Sequence, residues 1–104
     1  MIKQEIENVS KDNIDISVNY KLRMYVTGAS PNSAKAISNI KNICETHLSG
    51  MYDLEIIDIY QEPLIAQKEQ VIALPMLVKS APLPLKRLIG DMSDTKKVLK
   101  ALGL

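Results

Sequence analysis

Thiol and aromatic groups are scarce in this chain. Its 104 residues include one cysteine, Cys44, and one histidine, His47, so an internal disulfide is excluded and no metal-ligand spacing can be assembled from these types. Tryptophan and phenylalanine are absent; Ile, Leu, Val and Met must therefore fill the core, with Tyr20, Tyr25, Tyr52 and Tyr60 as the only large rings. Long apolar runs are missing too. The longest, residues 71–78, is far short of the roughly 20 residues that span a bilayer, and residues 1–20 lack the continuous apolar region of a signal peptide. Charge of one sign is also lacking. A net charge of +1 argues against a nucleic-acid binder that works by releasing counterions. The cysteine usage fits a reducing cytoplasm.

The length suits one domain with its own core. Residues 1–19 hold two lysines against four acids, net −2, which leaves +3 for residues 20–104. The expected organisation is a partly flexible N-terminal extension over 1–19 and a folded domain over 20–104. Within the extension, Ile14, Ile16 and Val18 alternate with polar residues as a strand would, a pattern that also suits pairing with another chain.

The stretch 21–48 organises the rest. Leu22, Met24 and Val26 alternate with Lys21, Arg23 and Tyr25, the period of a strand with one well-buried face. Gly28 breaks it. Ser30-Pro31 then signals a helix start, because a serine hydroxyl accepts from free amides and proline at the first position surrenders a donor that has no partner. Ile37, Ile40, Cys44 and Leu48 form one apolar stripe, and Gly50 supplies the stop.

Residues 53–59 read as a second strand, parallel to the first through the helical crossover. Pro63 opens a shorter helix expected to end near Val71, with Leu64, Lys68 and Val71 on one side. Residues 73–78 form an apolar strand with Pro75 at its entrance or in a cis bond. A turn over 80–84, an antiparallel strand over 85–89 and the Gly90-Asp91 break follow. Ser93 or Asp94 caps a last helix that buries Val98, Leu99 and Leu102, with Gly103 at its C-terminal cap. The resulting order, βαβαββα, is an α/β arrangement of the thioredoxin-like kind, a mixed four-stranded sheet covered by helices on both faces.

That scaffold raises the question of thiol chemistry. A reactive Cys-x-x-Cys would lie at the N-terminus of the first helix, where the dipole stabilises a thiolate, but residues 30–33 read Ser-Pro-Asn-Ser. Dithiol exchange is excluded there. Ser30 could activate bound glutathione, which makes a thiol or glutathione enzyme the alternative reading, although a helix cap is the commoner use of such a serine. His47 lacks a nucleophile and carboxylate at readable spacing, and residues 27–30 lack the second glycine and lysine of a phosphate loop. The sequence therefore offers no catalytic residue, no metal site and no cofactor. Lys79, Lys86 and Arg87, with Lys35, form a candidate basic patch that could steer an acidic partner.

The motifs Tyr25-Val26-x-Gly28-x-Ser30-Pro31-Asn32-Ser33, Ile56-Ile57-Asp58, Ala73-x-Pro75 and Ile89-Gly90-Asp91-x-Ser93 together resemble the circadian clock protein KaiB family over about residues 20–102. The resemblance implies a non-enzymatic regulator that docks on KaiC, a hexameric RecA-like ATPase. It also implies dealings with output kinases and KaiA, and a stress or energy-state role in relatives without a complete oscillator. It implies two folds: a monomeric thioredoxin-like form competent to bind, and a fold-switched βαββααβ form that assembles into tetramers. Gly28, Pro31, Pro75, Gly90 and Asp91 fall in its structural motifs. Lys35, Tyr52, Lys79, Lys86 and Arg87 stand at positions that face KaiC in relatives. Asp53 and Glu55 stand where cyanobacterial members carry Ala and Lys, so a reversed charge at Glu55 implies a partner of altered complementarity. Ala101 replaces a helical glycine, a change worth roughly 1 kcal/mol toward the last helix and hence toward the thioredoxin-like form.

Overall fold

Seven elements run in the order β1 (Tyr20–Val26), α1 (Pro31–His47), β2 (Tyr52–Asp58), α2 (Pro63–Lys68), β3 (Met76–Ala81), β4 (Lys86–Ile89) and α3 (Thr95–Leu102). The computed structural model describes residues 19–28, 30–68 and 73–104. Of the N-terminal extension, only Asn19 falls among them, and Val71 lies outside the described residues.

The strands form one mixed sheet in the order β2-β1-β3-β4. β2 runs parallel to β1, as a helical crossover requires, whereas β3 and β4 are antiparallel to their neighbours. This is the expected thioredoxin-like arrangement. Alternation along β1 sends Leu22, Met24 and Val26 to one face, where they meet Ala36, Ile40, Ile43 and Cys44 of α1, Leu77 of β3, and Val98 and Leu102 of α3. The opposite face buries Tyr25, Ile57, Met76 and Val78, with Ile65 of α2 packed against them.

Tyr25 departs from expectation. It alternates with the residues of the well-buried face and so falls on the opposite one, yet it is fully buried, because the sheet has a second core under α2. α2 itself is short. Leu64, expected on the same side as Lys68 and Val71, is 78% exposed, and Ile65 makes the packing contact instead. Three further boundaries shift by small amounts: β2 begins at Tyr52, β4 at Lys86, and β3 only after Pro75, residues 73–75 being bends. The bonds 74–75, 81–82 and 83–84 are cis.

The helix caps follow the sequence signals. Ser30 caps α1, with Pro31 in its first turn; Asp94, not Ser93, caps α3 by accepting from the Lys97 amide at 3.2 Å. Gly103, at φ 82°, closes α3 in the left-handed conformation, and the Leu104 amide reaches back to the Leu99 carbonyl.

Candidate interaction surfaces

The N-terminus of α1 is where a thioredoxin-like scaffold concentrates its chemistry, and here hydroxyls occupy it. The Ser30 hydroxyl donates to Ser33 Oγ at 2.8 Å, and Ser30 Oγ accepts from the Ser33 amide at 3.2 Å. Buried Ser33 Oγ in turn accepts from the Thr27 amide at 3.0 Å. Both serines thus tie the β1–α1 connection to the first helical turn. A groove of about 320 Å3 between Thr27, Ser30, Pro31, Asn32, Leu74 and Pro75 lies beside them. The helix cap is accordingly the role in which Ser30 is found.

Asp58 organises the same end of the sheet. Its Oδ1 accepts from the Gly28 amide at 3.1 Å and from the Tyr60 amide at 2.9 Å, joining the loops after β1 and β2. Gly28 takes φ 52°, a backbone conformation that favours glycine, while a β-carbon there would stand in ordinary contact with the Tyr60 ring at 3.6 Å. Asp58 was legible only as part of the Ile-Ile-Asp motif; its bridging role needed the two loops to be seen together.

The predicted partner-facing residues fall in three separate places. Tyr52, Asp53 and Glu55 lie along β2, at one edge of the sheet. The Tyr52 hydroxyl donates to the Glu45 carboxylate, and this bond, with burial and the nearby negative charge, pushes the phenol up to about 12. Glu55 pairs with Arg23 at 3.3 Å across the parallel ladder, and Asp53 stands opposite Lys21. These four charges, with Leu22 and Ser80, line a groove of about 130 Å3 on the part of the sheet that the second core leaves open.

Lys79, Lys86 and Arg87 lie at the other edge, on the β3–β4 hairpin. Here the expectation of a single basic patch needs correction. Lys79 is only 4% exposed: its ladder partner is Leu22, so the alternation of β3 turns its side chain to the α1 and α3 face. Lys86 and Arg87 are exposed and point to opposite faces, being opposite Lys79 and Val78 respectively. Lys35 does not join them. It acts on Asp91, past the far end of β4 from Lys86.

Asp91 belongs to the connection between β4 and α3. Its backbone carbonyl accepts from Asn39 Nδ2 of α1 at 2.8 Å, and its Oδ1 accepts from the Ser93 amide at 3.0 Å. Hydrogen bonds from Ser93, first the hydroxyl and then the amide, hold this carboxyl below its ordinary value, and the charge of Lys35 adds to the effect. Asn39, which lies off the apolar stripe of α1, is therefore a tether between that helix and the β4–α3 connection. Cys44 is buried far along α1, and burial together with the Glu45 charge pushes its thiol up to about 11. Among the described residues, no group of three potential metal ligands is present and no helix is long and apolar enough to cross a membrane.

Comparison with known proteins bears on how these surfaces are read. The family model of the KaiB domain matches residues 23–104. The circadian clock oscillator protein KaiB of Synechococcus elongatus is 45% identical over 85 residues, which is 82% of this chain and 83% of that protein. Among solved structures, the N-terminal domain of Synechococcus elongatus SasA superposes with a TM-score of 0.66 at 19% identity, covering 99% of this chain and 94% of that one. Mitochondrial thioredoxin 3 of Saccharomyces cerevisiae gives 0.66 at 15% identity, over 88% of this chain and 85% of its own. At such identities the two structures speak for the fold.

Proposed function

The chain belongs to the KaiB family, and from that premise we propose that it is a non-enzymatic regulator which works by docking on a KaiC-like hexameric RecA-type ATPase. The setting is circadian timing or a clock-derived stress or energy response in the cytoplasm. The observation that carries this reading is the similarity to a curated clock protein over most of both chains. Physical support comes from the N-terminus of α1, whose two serine hydroxyls are spent on each other and on the Thr27 amide. Neither sulfur nor cofactor enters the proposed action.

Charge gathers instead at the two edges of the sheet. We assign exposed Lys86 and Arg87 to steering the ATPase, with Lys35 as a separate cation beside Asp91; Lys79, buried against the α1 and α3 face, is left out of the partner-facing set. Tyr52, Asp53 and Glu55 form a second surface at β2, available to a KaiA-like protein, a histidine kinase or another copy of this chain. Gly28, Pro31, Pro75, Gly90 and Asp91 shape the scaffold that presents both.

Co-elution on gel filtration with the KaiC-like ATPase of the same organism, with ATP or ADP present, tests the proposal. A stable complex that loses affinity when Lys86 and Arg87 become alanine is the expected result. No complex in either nucleotide state, or thiol-dependent insulin reduction by the purified chain, overturns it.

A further inference from the structure

Seven large apolar side chains are exposed among the described residues, and three of them, Leu83, Leu85 and Ile89, lie within seven positions of the β3–β4 hairpin. Single exposed leucines are ordinary on protein surfaces. A group of this density on a turn is not required by turn chemistry, which calls for Gly, Asn, Asp or Pro. Leu83 is 80% exposed at the turn, Leu85 46% and Ile89 51%. Ile89 and Arg87 share the face that carries the second core, since their ladder partners are Met76 and Val78, but at the β4 edge they stay exposed; Leu85 lies just before β4. Exposed Leu85 and Ile89 thus flank the exposed cation Arg87 along this edge of the sheet.

The hairpin is also held in shape. Pro82 and Pro84 restrict their own φ angles on either side of Leu83. The Ser80 hydroxyl donates to the Lys21 carbonyl at 3.3 Å, and at the other end of β4 the Gly90 amide donates to the Pro75 carbonyl at 2.9 Å. A fixed apolar tip loses little conformational entropy when it is covered. Rigid apolar side chains that insert into a pocket supply most of the free energy at protein contacts, while flanking charges set the encounter rate.

Building on the proposed function, we infer that Leu83 and Leu85 are the apolar anchors of the ATPase contact, and that they enter a hydrophobic pocket rimmed by carboxylates which meet Lys86 and Arg87. The rim is acidic because the two exposed residues that follow the anchors are both cations. The same cations oppose stacking of one hairpin on another, so the occupant is a different protein and not a second copy.

The test is the dissociation constant for the full-length ATPase with nucleotide, measured at several salt concentrations. The Leu83→Ser, Leu85→Ser double variant should bind at least about tenfold more weakly with the salt dependence of the wild type, whereas Lys86→Ala and Arg87→Ala should flatten that dependence. The Leu83→Met, Leu85→Met variant should restore binding to within about twofold, since methionine keeps the apolar volume. Cooperative unfolding of each variant guards against loss of fold. Double-serine binding within about twofold of wild type overturns the anchor assignment and leaves the proposed function standing, whereas failure of the wild type to bind overturns both. A dimer of the wild-type chain in sedimentation that the double variant abolishes overturns the choice of occupant.

Discussion

Replacing Asp58 by alanine tests whether one carboxylate oxygen joins the loops that follow β1 and β2. Oδ1 accepts from the Gly28 amide, in a part-buried contact, and from the Tyr60 amide, in an exposed one. Hydrogen bonds to a charged group are worth about 1.5–3 kcal/mol net, with exposed ones at or below the bottom of that range. The two are also not independent, since they share an acceptor. The expected loss for Asp58→Ala is therefore about 2 kcal/mol. At roughly 4–8 °C per kcal/mol for a domain of this size, the midpoint of thermal unfolding falls by about 8–16 °C. Asp58→Asn keeps an acceptor in place and gives up only the charge, so about half of that loss is expected.

Urea unfolding followed by circular dichroism measures both variants, and the m-value should stay constant because the buried surface is unchanged. The Gly28 amide resonance supplies a local readout: it should move upfield in the alanine variant and much less in asparagine. A loss below about 0.5 kcal/mol for alanine, or equal losses for the two variants, would refute the idea that a shared charged acceptor holds these loops.

Three further outcomes follow from the same geometry. Asp94→Ala should cost about 1 kcal/mol through the lost cap of α3 while Asp94→Ser costs little, and backbone chemical shifts over residues 95–102 should be helical in the wild type; strand shifts there would show the other family fold at rest. Cys44, with its thiol at about 11 and its side chain buried, should react with an aromatic disulfide at pH 8 only as fast as the chain opens, and a rapid native reaction would contradict its burial. Asp91, held below 3.8, stabilises the fold fully above that value and loses its contribution as pH falls through the depressed one. Ser93→Ala should move the Asp91 titration, followed by its carboxyl carbon resonance, back toward 3.8.

Local signals were read well from the chain alone. Ser30-Pro31, Gly50 and Gly103 each act through a backbone requirement of their own neighbourhood, so they announced the helix ends without any knowledge of the fold. What escaped was set by tertiary position. Tyr25 looked like an outward residue because alternation assigns it a face but does not say that α2 covers that face. Lys79 looked like a surface cation because of its charge, yet it continues the alternation of buried Leu77 in a register unbroken from Met76 to Lys79, and composition does not say which strand neighbour that register supplies. Asn39 and Asp58 act on residues 52 and 30 positions away, at separations where spacing carries no information.

The separation of the charged groups also limits how partners can act. β2 and β4 are opposite edges with β1 and β3 between them, so they stand about 14 Å apart at the usual strand spacing. That exceeds the Debye length of roughly 8 Å at physiological salt, so the carboxylates of β2 and the exposed cations of β4 are largely screened from one another. α1 and α3 cover one face of the sheet, which closes the route by which a single partner could reach both edges from that side. The remaining route crosses the open face over Lys21 and Arg23, where Asp53 and Glu55 already stand opposite them. A cation offered to Glu55 must compete with Arg23, whereas a carboxylate offered to exposed Lys86 or Arg87 meets no ion pair among the described residues. The β4 edge is therefore the one suited to strong, salt-sensitive attraction, and the β2 edge to discrimination between partners.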